Sequence, residues 1–175
     1  MSSKSLTSKS NVSTAIIVGI IGGLISGIVK LGWEILLPPR TIERNLTNPP
    51  QELLQQMGVP SDITHLTYMY SGIEVPWVSL IIHFSFSIGV AILYCVLAEY
   101  YPKIKWGQGI VFGLFMWIAF HLIIMPALGT VPAMWNQPFS EHLSEALGHM
   151  LWMWIIEVFR NKSELQNRIS QELGI

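Results

Sequence analysis

The amino-acid sequence predicts an all-α integral membrane protein with four transmembrane helices, both termini in the cytoplasm, and a short helical outer loop between the first two spans. Three observations carry this reading. Of 175 residues, 51% are hydrophobic and only 12% charged, about half the charged share usual in soluble domains. Four apolar runs each approach the ~20 residues that cross a bilayer as a helix. The basic residues then fall almost wholly on one side of the resulting arrangement.

Residues 1–13 are rich in Ser, Thr and Lys without apolar periodicity and read as a disordered tail. Helix one, about residues 14–37, follows Lys4 and Lys9 without a small-residue cleavage pattern, so it reads as a retained signal anchor. Pro38-Pro39 ends it, because proline removes an amide donor and clashes with the preceding turn. The outer loop, 38–76, contains Pro49-Pro50 followed by Gly58, a pattern that predicts a short helix on the membrane surface. Helix two, about 77–100, is framed by Trp77 and by Tyr100-Tyr101, as interfacial aromatics frame a span. Helix three covers about 107–128 and helix four about 143–160, with a re-entrant segment as the alternative for the last. In the tail, 161–175, Leu165, Ile169 and Leu173 lie four apart and predict an amphipathic helix on the inner surface.

Orientation follows from Lys4, Lys9, Lys103, Lys105, Arg160, Lys162 and Arg168, which share one side if all four spans are real; only Arg40 and Arg44 fall opposite. A net charge of -1 and the lack of a basic patch exclude a nucleic-acid partner. Cys95 is the single cysteine, so neither an intrachain disulfide nor a cysteine-based zinc site is available. The expected partner is the lipid bilayer. A homo-oligomer follows if the glycine face of helix one joins chains rather than helices of one chain.

Counting ~1.5 Å per helical residue places Lys30, Glu34, His83, His121, Glu145 and His149 within roughly 5 to 10 Å of one outer plane. Helical spacing also gives them a common direction. Gly19, Gly23 and Gly27 form a small-residue face on helix one, which lets backbones approach closely in membranes, and Lys30 and Glu34 continue it. Lys before Glu is the weaker order for an i,i+4 pair, so Glu34 is expected to serve a partner on another helix. At the inner interface, Glu99 and Glu157 are expected to pair with Lys103, Lys105 or Arg160. Trp33, Trp77, Trp106, Trp135 and Trp154 read as interfacial anchors.

Lys30-Leu-Gly-Trp-Glu34, Leu37-Pro-Pro-Arg40, His83, Tyr94-Cys95, Ala98-Glu99-Tyr-Tyr-Pro-Lys-Ile-Lys105, His121, Pro126, Ser144-Glu145 and Gly148-His149 together resemble the YagU family of bacterial inner-membrane proteins. The similarity runs from about Gly19 to Arg160. It implies a multi-pass protein of the bacterial cytoplasmic membrane and an association with survival in acid, and it brings no reaction, ligand or catalytic residue.

Three histidines that titrate near neutrality beside two carboxylates predict a pH-responsive gate or a proton or small-ion site. One alternative is a metal site. Glu145-x-x-x-His149 sets two ligands one turn apart, with His83, His121 and His142 to complete a shell for zinc or another divalent metal, although the sequence requires no cofactor. The other alternative is a structural polar network that holds helix register. No HExxH, phosphate loop, nucleophile elbow or Ser-His-Asp order is present, so an enzyme has no motif to support it.

Overall fold

A computed structural model describes residues 3–173. Helix α1 spans Ser3–Leu36 and stops at Pro38-Pro39 as the missing donors require. It also takes in most of the segment expected as a disordered tail. That segment contains no Gly or Pro, and a helix already nucleated by the apolar run extends at the small cost of propagation alone.

The loop that follows is built in three pieces. Helix α2, Pro49–Gln56, is the short helix expected; the Asn48 side chain accepts from Gln51 N while the Gln51 side chain accepts from Asn48 N, a reciprocal cap. Helix α3 covers Ser61–Thr64. Strands β1, Thr67–Tyr70, and β2, Ile73–Pro76, pair antiparallel around Ser71-Gly72, both at positive φ (51° and 78°), the backbone that a two-residue hairpin turn demands. The loop is pinned to the bundle where Asn48 Nδ2 donates to Ser79 Oγ at 2.6 Å. Ser79 therefore serves the loop, not the bundle interior.

Helix α4 occupies Trp77–Tyr100, in agreement with the aromatic frame. The third span differs from the regular helix expected over 107–128. Gly107, Gln108 and Gly109 all take positive φ, so helix α5 starts only at Ile110 and runs to Trp117. From Ile118 to Ile124 the turns widen into a π-helix before α6, Met125–Ala127. Helix α7 then runs unbroken through Phe139–Leu173, merging the fourth helix with the C-terminal tail. No Gly or Pro interrupts it beyond Gly148 until Leu173, and Arg160 bonds Glu164 one turn on at 2.7 Å.

Helix α1 packs against both α4 and α7, and α5 packs on α7. The glycine face explains the first contact: a Cβ added at Gly19 would meet Ile92 Cα at 2.6 Å, and one at Gly23 would meet Ile88 Cα at 2.7 Å. The core between the helices is formed by Ala91, Tyr94, Cys95, Trp152, Met153 and Ile156. Ile17, Ile28, Ile81 and Phe115 point outward and are 58 to 61% exposed, a distribution that water would penalise and acyl chains reward. Val12–Leu36, Trp77–Tyr100 and Pro102–Ala127 are long and apolar enough to cross a membrane, and these three alone qualify among the described residues. Helix α7 is longer but carries Glu141, Glu145, Glu157 and Arg160.

Candidate functional site

The carboxylate of Glu145, on α7, is the hub of a buried electrostatic array. Lys30 Nζ lies 3.0 Å from its Oε2, and Arg40 reaches Oε1 at 3.5 Å. His121 Nε2 stands 3.6 Å from Oε2; His149 Nδ1 donates to the Glu145 backbone carbonyl at 2.8 Å and stands 3.8 Å from Oε2. The array extends both ways: Lys30 also holds Glu34 at 2.7 Å, while Arg40 Nε holds Glu141 at 3.1 Å and Arg44 takes the other Glu141 oxygen. Glu141 and Glu145 side chains are 1% and 4% exposed, so this is not a solvated surface network.

Local structure explains how these groups meet. Glu141, Glu145 and His149 recur at four-residue steps and therefore share a face of α7. Gly148 leaves the space beside that face in which Lys30 Nζ sits, 3.1 Å from where a Cβ would be. Trp33 Nε1 donates to Ser144 O at 3.0 Å and Ser144 Oγ donates to Leu37 O at 2.5 Å, binding α1 and its exit to the start of α7. Trp33 is thus a tie between helices as well as an aromatic at a helix end. On the third span, Gly113 lets α5 touch the α7 backbone at His149, and the π-turn carries His121 to the hub. Such turns recur at functional sites because they re-aim a side chain.

Of the six residues singled out by depth, five converge: Lys30, Glu34, His121, Glu145 and His149. His83 does not. Its Nε2 donates to Gly27 O at 3.0 Å with its ring edge-on to Phe84, so it ties α4 to α1. His142 is turned away as well, donating to Met134 O at 2.8 Å. The pairing of Glu34 is also reversed from expectation, since Lys30 is the residue that reaches across to another helix. Arg40, Arg44 and Glu141 lie outside the set singled out by depth, because the arginines fall in the outer loop and not in a span. The signal available was their exception to the one-sided distribution of basic residues.

At the opposite end, Arg160 clamps Glu157 through Nε at 2.6 Å and a second nitrogen at 2.9 Å, and Tyr94 OH donates to Glu157 at 3.0 Å. Lys105 approaches Glu164 at 3.9 Å, not Glu99 or Glu157. Glu99 and Lys103 are exposed and have no ion-pair partner among the described residues. Between the two ends, Trp152 Nε1 donates to Ser87 Oγ at 2.8 Å and Ser87 Oγ to Gly23 O at 2.7 Å. The surrounding Val90, Ala91 and Met153 are apolar and buried, so no continuous polar chain joins the ends among the described residues.

Residues 24–158 match the family model described as Protein of unknown function (DUF1440). The chain belongs to the DUF1440 family. It is similar to Inner membrane protein YagU of Escherichia coli (strain K12), with 34% identity over 180 residues covering 90% of this chain and 87% of that protein. No solved structure matches. Together with the apolar helices, the YagU-type relationship identifies a multi-pass inner membrane protein.

In this DUF1440 chain His121, Glu145 and His149 offer donor atoms within 4.8 Å of one another, while His83 and His142 are withdrawn from any shared shell. The cation already at that position is Lys30, on the same Glu145 oxygen that faces both imidazoles. A divalent ion would have to expel it, and would leave a net positive charge on an array whose three cations and three carboxylates already balance. Elemental analysis of purified protein soaked in zinc is therefore expected to find no stoichiometric metal. One retained zinc per chain would refute the charge argument.

Proposed function

We propose that the protein is a four-span membrane protein, with both termini cytoplasmic, whose outer-leaflet array is a proton-responsive lock between α1 and α7. The single observation that carries this reading is the convergence of Lys30 and Arg40 on one buried carboxylate, Glu145, with the imidazoles of His121 and His149 within 4 Å of the same group. Helix α7 acts as the fourth span in this reading, since it packs along α1 and α5 and its apolar part gives way to Arg160 and Lys162, on the side of Lys103 and Lys105.

Charge counting supplies the direction. With both imidazoles neutral, Lys30, Arg40 and Arg44 offset Glu34, Glu141 and Glu145. Every proton added, on an imidazole or a carboxylate, leaves an uncompensated positive charge in a region of low dielectric, where an unpaired ion is costly. Acid on the outer side thus weakens the lock, and admitting water between α1 and α7 relieves the charge. The apolar stretch around Met153 and Val90 argues for a gate or sensor over a proton wire. Acid tolerance is a fitting role for such a device, because its trigger is the external proton itself.

The test is a distance measurement in lipid nanodiscs. Spin labels at Ile35→Cys and Leu143→Cys, both exposed positions, in a Cys95→Ala background, report the α1–α7 separation. Acidification from about pH 7.5 to about pH 3.5, a window that extends well below the one in which a free imidazole charges, is expected to broaden and lengthen the distribution. The same protein carrying His121→Gln and His149→Gln is expected to respond less. A wild-type distribution identical at both pH values would end the proposal.

A further inference from the structure

On the loop side of the array, a cavity of about 230 Å3 is lined by Arg40, Arg44, Thr47 and Thr130, with Val131 and two prolines closing the wall. Its chemistry is one-signed. No carboxylate lines it, and Glu141 stands behind the arginines with both oxygens occupied, one by Arg40 and one by Arg44. The array balances as a whole, but at the wall itself one carboxylate faces two guanidinium groups. Arg40 finds a second, longer contact at Glu145, but that carboxylate is already shared with Lys30.

The arginines also retain donors. Arg44 binds Glu141 through a single terminal nitrogen, leaving its other terminal nitrogen and Nε unpaired among the described residues, and its side chain is 30% exposed. A guanidinium edge of this kind matches two oxygens of a carboxylate or phosphate at once. Across the cavity, Thr130 donates its hydroxyl proton to Met125 O at 3.1 Å, which fixes its side chain at the wall. The volume lies below the range usual for drug-sized ligands. On the same loop, Ile42 and Leu46 flank Arg44 in sequence and are 84% and 70% exposed.

We propose that this cavity is an oxyanion site for a phosphate group, held in the fork of Arg44 with Arg40 behind it. The phosphate comes from solution or from a lipid headgroup whose chains lie along Ile42 and Leu46. The site is separate from the proton-responsive lock in its ligand and its test, since it requires no titration of Glu145, His121 or His149.

Delipidated protein in a neutral detergent is titrated with inorganic phosphate at low and at high chloride, and its retention of phosphatidylglycerol is followed by native mass spectrometry. Three variants accompany wild type: Arg44→Gln removes the fork, Arg44→Lys keeps the charge on Glu141 without the fork, and Pro132→Trp fills the cavity from the opposite wall without touching an arginine. Saturable phosphate binding, screened by chloride and weakened about tenfold or more by Arg44→Gln, supports the site with a soluble ligand. Retained phosphatidylglycerol that is lost in Arg44→Gln and Pro132→Trp supports it with a lipid. Arg44→Lys, which preserves the ion pair, guards against misfolding and is expected to fall between wild type and Arg44→Gln. If neither phosphate nor phosphatidylglycerol distinguishes wild type from Arg44→Lys and Pro132→Trp, the site does not exist.

Discussion

Glu145→Gln is expected to destabilise the protein by about 3–5 kcal/mol, the usual cost of leaving a buried ion without its partner. Glutamine keeps the shape but has one carbonyl oxygen where Lys30 and Arg40 use two, so it turns an amide donor toward one of them and removes the charge that both cations share. Glu34→Gln deletes a carboxylate from the same array with a different outcome. Glu34 is 34% exposed, and Lys30 retains Glu145 at 3.0 Å, so the loss is expected to be at most about 1 kcal/mol, as for solvated pairs. The double change Lys30→Met with Glu145→Leu separates charge from packing. It removes a cation and an anion together, and Arg40 keeps Glu141 at 3.1 Å. Apolar replacements of similar volume often match a buried pair in stability, so this variant is expected to recover most of what Glu145→Gln loses. Reversible unfolding in mixed detergent micelles measures all three. Equal midpoints for Glu145→Gln and Glu34→Gln would mean that the array is wet, with no lock to open.

How much of this arrangement was legible beforehand depends on which physical signal each residue leaves in the chain. Pro38-Pro39 and Pro76 mark helix limits by covalent geometry, so α1 and α4 end and begin where expected. Depth counting finds Lys30, Glu34, His121, Glu145 and His149 because burying an ionisable group in hydrocarbon is costly and usually purposeful. Depth and helical spacing do not name the partner, however, and His83 lies at the right level and faces α1 while bonding the Gly27 carbonyl. The π-turn at Ile118–Ile124 changes the angle per residue, and its one signal, Pro126, whose missing amide leaves Leu122 O without its helical donor, lies beyond the turn, so helical-wheel placement along the third span fails beyond Trp117. Arg40 and Arg44 escaped for the opposite reason: a charged residue between helices carries no penalty that would draw notice. The hairpin was available in Tyr70-Ser-Gly-Ile73, where Ser-Gly between β-formers signals a tight turn.

Gly113→Ala is expected to disturb the site from a distance, because the obstacle it meets is backbone. The added Cβ would stand 2.4 Å from His149 O, 3.0 Å from His149 C and 3.1 Å from Met150 Cα. No side-chain rotation relieves such a contact, so α5 must move off α7. Overpacking of this kind costs about 1–3 kcal/mol, sometimes more. The displacement reaches the array as well, since His121 lies two turns further along the same segment and stands 3.6 Å from Glu145. Gly113→Ala is therefore expected to lower stability and to blunt the pH response of the α1–α7 distance together. Gly89→Ala provides the comparison: nothing lies within 4 Å of its added Cβ, and alanine restrains a helical backbone better than glycine by about 0.5–1 kcal/mol. That variant is expected to match or exceed wild type in the same unfolding assay. Were Gly113→Ala to unfold no earlier than Gly89→Ala, α5 could not pack on α7 at His149, and the route by which His121 reaches Glu145 would be lost.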